Sequence, residues 1–276
     1  MEVTRYDLWE KVPGSTNYEP YLMHFIPDNK KTDSTILIMP GSGYQNCPAR
    51  PKQEGERVAE HLCKMGINVF VLVYRVAPDY FPLPILDGRR AVRYIRYHSE
   101  KFGINKNKIA AMGYSSGGHL TASLFTYHKD IEFENIDDID KECFVPDYQI
   151  LCYPVIGLDR ENEYIHQGSP TNLLADRYDE LKDELSLEFS PVKVTAPTFI
   201  WHNFDDSVVS VVNSLKYAEN LKSKGTSVEM HIFPDGDHGK GLPVDDKKDL
   251  NHIKIWIELV CRWLEYEDFC EGGILK

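Results

Sequence analysis

The residues with the clearest chemical promise are Gly113-Tyr114-Ser115-Ser116-Gly117. A serine flanked in this way suits a sharp strand-to-helix turn, where a side chain two residues to either side would clash and glycine removes the clash. The setting agrees. Residues 109–112 form a short apolar run, and residues 119–126 read as a helix. In this frame Ser115 is the nucleophile, because a frame centred on Ser116 puts Tyr114 where the first glycine belongs. Ser116 then lends its backbone N–H to the oxyanion that forms during acyl transfer. The bland alternative is a Gly/Ser-rich turn with no chemistry, but such pentapeptides seldom fall by chance between a strand and a helix.

A second loop, Pro40-Gly41-Ser42-Gly43-Tyr44, follows an apolar run at residues 35–39. Acyl transfer needs backbone N–H groups aimed at a developing negative oxygen, and small residues suffice for that. Ser42 and Gly43 are the expected donors. A simple turn is the plain alternative. A dinucleotide fingerprint fails, since Asn46 stands at the third glycine position, Pro48 follows, and His61 replaces the expected acidic residue.

An acid and a base complete the set. His202-Asn203-Phe204-Asp205-Asp206-Ser207-Val208-Val209 follows a strand-like run, and only Asp206 sits in the Asp-x-Val-Val or Asp-x-Leu-Val frame seen in hydrolase loops of this kind. Asp205 is read as a helix cap or a ligand of the loop backbone. Among the ten histidines, His238 lies in Asp235-Gly236-Asp237-His238-Gly239, directly after another strand. The order Ser115, Asp206, His238 is that of the α/β-hydrolases. His238 would take the serine proton, while Asp206 holds the tautomer and stabilises the imidazolium. Asp237 would favour the imidazolium if its carboxylate faced the ring. His119 is read as bonding locally, His202 as a neighbour of the acid, and His166 as a solvated loop histidine with substrate contact as the alternative.

These pieces resemble the acetyl xylan esterase-like branch of the α/β-hydrolases, a group of esterases, lipases and sugar hydrolases. The likeness rests on the Pro40–Tyr44 and Gly113–Leu120 segments, Trp201-His202, Asp205-Asp206, Asp237-His238-Gly239, Tyr153-Pro154-Val155 and Gly168-Ser169-Pro170-Thr171-Asn172-Leu173-Leu174, and it runs from about Ser34 to about Leu242. Ser42 and Asp237 stand where glycine is common in that branch, and Ser210 replaces a frequent proline. The resemblance implies hydrolysis of small esters, with acetyl groups on sugars as the expected substrate.

These groups must be held by a scaffold. Apolar strand-like runs (21–26, 35–39, 67–74, 109–112, 148–153, 197–202, 228–233) alternate with helical patterns at 54–65, 84–102, 119–126, 211–222 and 250–266. That alternation predicts an α/β fold, a mostly parallel central sheet with helices on both faces. Residues 1–276 are expected to form a single α/β-hydrolase domain, with a cap-like insertion at about 159–194 lying over the active site and one charged helix at 176–187. Aromatic residues at the strand ends, Tyr44, Tyr80, Phe81, Tyr153 and Trp201, are candidates for stacking on sugar faces; Tyr44, Tyr153 and Trp201 are the expected substrate contacts.

Bulk composition narrows the functions. With 31 basic and 43 acidic residues the net charge is −12, which disfavours nucleic acid as a partner. No apolar stretch is long enough to span a bilayer, no basic run suits a membrane surface, and Met1–Asp7 has no apolar leader, so the expected location is the cytoplasm. The six cysteines (47, 63, 143, 152, 261, 270) form no Cys-x-x-Cys pair and are expected to be free thiols. No His-x-His or His-Glu-x-x-His pair suggests a metal, and no cofactor is expected. The expected partner is a small acylated sugar, with a homo-oligomer left open. The leading function is a serine carboxylesterase. The alternatives are a small amidase such as an arylformamidase, a peptidase-like relative, and a non-catalytic binding relative, which would be expected to lack one of the three groups.

Overall fold

Runs of β-branched and large apolar residues, hidden from water on both sides, make the centre of this chain a sheet. The computed structural model describes residues 1–14, 17–45, 52–134, 136–242, 251–270 and 274. Among them, β1 (Glu2–Asp7), β2 (Tyr21–Ile26), β3 (Thr35–Met39), β4 (Asn68–Val73), β5 (Ile109–Tyr114), β6 (Tyr148–Cys152), β7 (Thr198–Asn203) and β8 (Val228–Phe233) join one eight-stranded sheet. The order is β1-β2-β4-β3-β5-β6-β7-β8. The β1–β2 and β2–β4 pairings are antiparallel, and the others are parallel. The chain thus belongs to the α/β class with the α/β-hydrolase arrangement. β1, an exposed edge strand with no apolar run, is the strand the sequence did not reveal.

Helices cover both faces: α1 (Arg57–Lys64), α2 (Leu83–Tyr97), α3 (Ser99–Phe102), α4 (Ser116–Thr126), α5 (Gly168–Leu174), α6 (Tyr178–Leu181), α7 (Val212–Ser223), α8 (Asn251–Lys254) and α9 (Trp256–Tyr266). The two-residue period of a strand sends alternate side chains to opposite faces. Ile36 and Ile38 pack with Val58 and Leu62 of α1 and Trp256 of α9, whereas Leu37 and Met39 pack with Ile85 of α2 and Leu120 of α4. Each such side chain contributes about 1.5–3 kcal/mol on burial.

Three expected helices take other forms. The span 84–102 breaks at His98 (φ −93°, ψ 17°), and the short α3 ends at Gly103 with φ 62°, the left-handed position glycine favours. The closing helix divides at Ile255 into α8 and α9, and its expected first residue, Leu250, lies outside the described residues. In the insertion, only Tyr178–Leu181 of the expected 176–187 helix is α-helical, preceded by a 3₁₀ turn, and α5 was not foreseen. Leu185 and Leu187 are instead fully buried in the core.

Buried charge locks two regions. Arg75 and Asp87 are both fully buried and paired at 2.7 Å. Asp87 also accepts the Trp9 Nε1–H at 3.1 Å, and Arg75 donates to the Pro13 carbonyl, so the pair holds the N-terminal segment against α2. Farther along α2, Arg89, Arg90 and Arg93 meet Glu134, Asp137 and Asp140. The described cysteines are all free; Cys143 is exposed and the other four are buried, while Cys47, Asn46 and Pro48 lie outside the described residues. Burial pushes the Cys261 and Cys270 thiols up to about 12.

Candidate active site

In the strand order, β3 stands between β4 and β5, so the chain leaves β3 first to one side and later to the other. Such a switch point opens a crevice at the carboxyl ends of the strands. The loop after β3 carries Pro40–Tyr44, and the turn after β5 carries Ser115.

Ser115 has φ 51° and ψ −120°, a conformation costly for a residue with a side chain. Two glycines make the turn possible. A Cβ at Gly113 would lie 2.2 Å from the Gly117 carbonyl oxygen, and one at Gly117 would lie 2.0 Å from that of Met39. The turn is held by Ser115 N–H donating to Cys152 O at 3.1 Å and by Val155 N–H donating to Ser115 O at 2.9 Å.

Three of the expected residues come together here. His238 Nε2 is 2.9 Å from Ser115 Oγ, and His238 Nδ1 is 2.7 Å from Asp206 Oδ2. An ionised carboxylate only accepts, so Nδ1 carries the proton and the Nε2 lone pair faces the serine hydroxyl. Asp206 Oδ1 accepts the N–H groups of Val208 and Val209 at 3.0 and 2.8 Å. Burial opposes its ionisation, but hydrogen bonds from His202 and His238 outweigh this and hold the carboxyl well below the usual carboxylate range.

Neighbouring groups fix the base loop. Asp205 Oδ1 accepts the Asp237 N–H at 3.0 Å, and Asn203 Nδ2 donates to Asp237 O at 2.7 Å. The Asp237 carboxylate accepts the Ser207 hydroxyl at 3.0 Å and lies 3.8 Å from Lys240 Nζ. That bond and the His238 backbone N–H lower its pKa, so Asp237 is engaged by these groups rather than by the His238 ring.

On the oxyanion side, one expectation changes. The Ser42 N–H donates to Ser116 Oγ at 3.0 Å and is therefore not free in this arrangement. Gly43, at φ 61°, has no acceptor for its N–H among the described residues, and its carbonyl accepts Asn172 Nδ2 at 2.9 Å. Ser116 opens α4, where the first N–H groups have no intrahelical acceptor.

A cavity of about 370 Å³ opens over Ser115 and His238, walled in part by Gly43, Glu54, His166 and Asn172. His166 is a wall residue, not a solvated loop histidine. Its Nδ1 accepts the Ser169 N–H at 3.2 Å, leaving the proton on Nε2, and burial followed by the nearby His238 lowers its pKa. Of residues 159–194, His166, Gly168 and Asn172 line this cavity, while Lys193 N–H donates to Phe125 O at the end of α4. Glu54, in the π-helical turn Lys52–Glu56, was missed, since no local motif marks it.

The proposed aromatic contacts are corrected. Tyr44, Tyr153 and Trp201 are fully buried and offer no face to a sugar. Tyr44 (φ 58°) turns beneath its loop, where its hydroxyl meets His119 Nδ1 at 3.0 Å. Trp201 stacks on Trp256 of α9 at 5.2 Å between centroids. His119 also bonds at long range rather than locally, to Leu185 O at 2.8 Å.

A family model described as BD-FAE matches residues 23–221, most of the chain and nearly all the elements that carry this geometry. The chain belongs to the BD-FAE family. It is an acetyl xylan esterase-like α/β-hydrolase, and its relatives include proteins named as esterases. The chain is similar to an acetyl ester-xyloside bifunctional hydrolase from Caldicellulosiruptor lactoaceticus, whose crystal structure superposes with a TM-score of 0.85 at 38% identity, covering 97% of each chain. Endo-1,4-beta-xylanase B of Butyrivibrio fibrisolvens is 34% identical over 88% of this chain and 38% of its own length. The acetylxylan esterase of Xylanibacter ruminicola is 30% identical over 79% of this chain and 43% of its own length. The chain thus spans about two fifths of these two curated relatives. Among the described residues, no helix is long and apolar enough to cross a membrane, and no group of three or more His, Cys, Asp or Glu side chains is arranged to hold a metal.

Proposed function

We propose that this chain is a serine carboxylesterase that removes short acyl groups, acetyl above all, from carbohydrates, acting from one α/β domain with residues 159–194 as an insertion. The observation that carries this reading is the relay from Ser115 Oγ through His238 to Asp206, at 2.9 and 2.7 Å. Ser115 Oγ attacks the ester carbonyl carbon as its proton passes to His238 Nε2. Asp206 stabilises the imidazolium, and the N–H groups of Gly43 and Ser116 receive the oxyanion. The carbon–oxygen bond to the alcohol then breaks, and His238 returns the proton to the leaving alkoxide. Water, deprotonated by His238, attacks the acyl-enzyme and releases the acid and free Ser115.

Short acyl specificity is supported by the modest cavity and its polar walls, Glu54, His166 and Asn172, which favour a hydroxyl-rich leaving group over a long apolar chain. Relatives named as an acetylxylan esterase and an acetyl ester-xyloside hydrolase support a carbohydrate ester. The test is a panel of esters of increasing acyl length, acetylated xylo-oligosaccharides and one matched amide, run beside Ser115→Ala. Acetyl and propionyl esters should exceed octanoyl in kcat/KM, and acetate release should vanish in Ser115→Ala. A preference for octanoyl or for the amide would overturn the substrate assignment.

A further inference from the structure

Between the oxyanion loop and the base loop lies a hydrogen-bonded bridge that none of the chemistry above uses. Glu54 Oε2 accepts the Gly41 N–H at 2.9 Å, in the loop after β3. Glu54 Oε1 accepts the Tyr153 hydroxyl at 2.8 Å. The same hydroxyl oxygen accepts the Gly241 N–H at 3.0 Å, three residues beyond His238. Gly241 O in turn accepts Trp256 Nε1–H of α9 at 2.9 Å. Tyr153 also lies edge-on to the His238 ring, 5.0 Å between centroids, and holds φ 38°, an unfavourable backbone value for a tyrosine.

We propose that Glu54 and Tyr153 form a positioning pair that sets the oxyanion loop and the His238 loop in register across the mouth of the site. The inference rests on the reading of Ser115 and His238 as nucleophile and base. The two loops leave different strands, β3 and β8, at opposite sides of β5 in the sheet, so among the described residues no strand ladder joins them. The Glu54 and Tyr153 side chains span that separation, and misplacement by about 1 Å costs about 100-fold in rate. The protonation state of Tyr153 suits the task. Burial, followed by the Glu54 charge, raises the Tyr153 phenol, which keeps it an O–H donor. Burial also raises the Glu54 carboxyl, while the Tyr153 and Gly41 hydrogen bonds pull it down. Neither residue transfers a proton, and although Glu54 also forms part of the cavity wall, the pair acts through the loops it holds.

The test compares Tyr153→Phe, Glu54→Leu, the double variant, Glu54→Gln and Ser115→Ala in the full chain, using p-nitrophenyl acetate turnover, the rate of phosphonate labelling at Ser115, and thermal melting. Tyr153→Phe and Glu54→Leu should each lower kcat by about 10- to 100-fold, with KM changed less than about threefold. The labelling rate should fall in parallel. The double variant should be no worse than the poorer single variant, because both break one bridge. Glu54→Gln keeps an amide oxygen for the Gly41 N–H, so it should be faster than Glu54→Leu; equal loss would show that the charge and not the bridge matters, overturning the proposal. Wild-type kcat in Tyr153→Phe, or losses that multiply in the double variant, would also overturn it. Should Glu54→Leu fail to fold, Tyr153→Phe, which keeps the ring, decides alone. Activity persisting in Ser115→Ala would instead sink the nucleophile assignment, a separate failure.

Discussion

Asp205 and Asp206 are adjacent and chemically identical, yet they hold different things. Asp206 grips the His238 imidazole and two loop amides, while Asp205 grips the backbone of Asp237. Asp206→Asn should therefore lower kcat by about 10⁴-fold, because an amide in that place favours the wrong imidazole tautomer. Asp205→Ala should lower it far less and instead reduce stability by about 1 kcal/mol, the worth of the one hydrogen bond it removes from the Asp237 N–H. Steady-state kinetics and melting on both variants decide this, and reversed effects would exchange the roles. At this scale the sequence was legible where a motif carries its own geometry. Ser115, Asp206 and His238 each follow a strand in the right order. Glu54 was not legible, because its partners Gly41 and Tyr153 lie 13 and 99 residues away. The strand-end aromatics were misread because the face a ring takes depends on loop twist, as at Tyr44, and on which helix packs beneath, as at Trp201.

The elements were legible in kind and less so in extent. Buried parallel strands advertise themselves as continuous apolar runs, whereas β1 has no such run and becomes a strand only by pairing with β2. Helix α2 combines an apolar stripe with buried arginines, and its pattern does not say that the ladder stops at His98. The buried Arg75–Asp87 pair at its start shows what holds such an element. Asp87→Ala would leave the guanidinium uncompensated and the Trp9 N–H without its acceptor. A loss of about 3–5 kcal/mol in stability is expected, read by urea denaturation. A loss below about 1 kcal/mol would mean that water enters and solvates Arg75.

For the molecule as a whole, two buried histidines set an acid limit. His24, stacked on Phe70, and His119, between Tyr44 and Leu185, are both lowered to about 4, chiefly by burial. The unfolded chain binds these protons first, near pH ~6.5. Stability should thus be complete above that value and decline as pH falls toward the folded-state values, by roughly 3 kcal/mol for each histidine. Melting temperatures measured across that window should drop, and His24→Gln should flatten the slope; an unchanged slope would assign the loss to other groups. The mostly parallel sheet followed from strand–helix alternation, but its strand order, and the division of residues 159–194 between the cavity wall and the core, depend on long-range packing no local pattern encodes. The thiols give the protein a further property. Four of the five described cysteines are sealed in the interior, and Cys143 alone reaches solvent. In a Cys47→Ser background, a maleimide should attach once, at Cys143, under native conditions and leave ester turnover intact, as intact-mass measurement would show. With Cys47 replaced, the fold thereby supplies one chemical address, Cys143, for tethering the protein to a support.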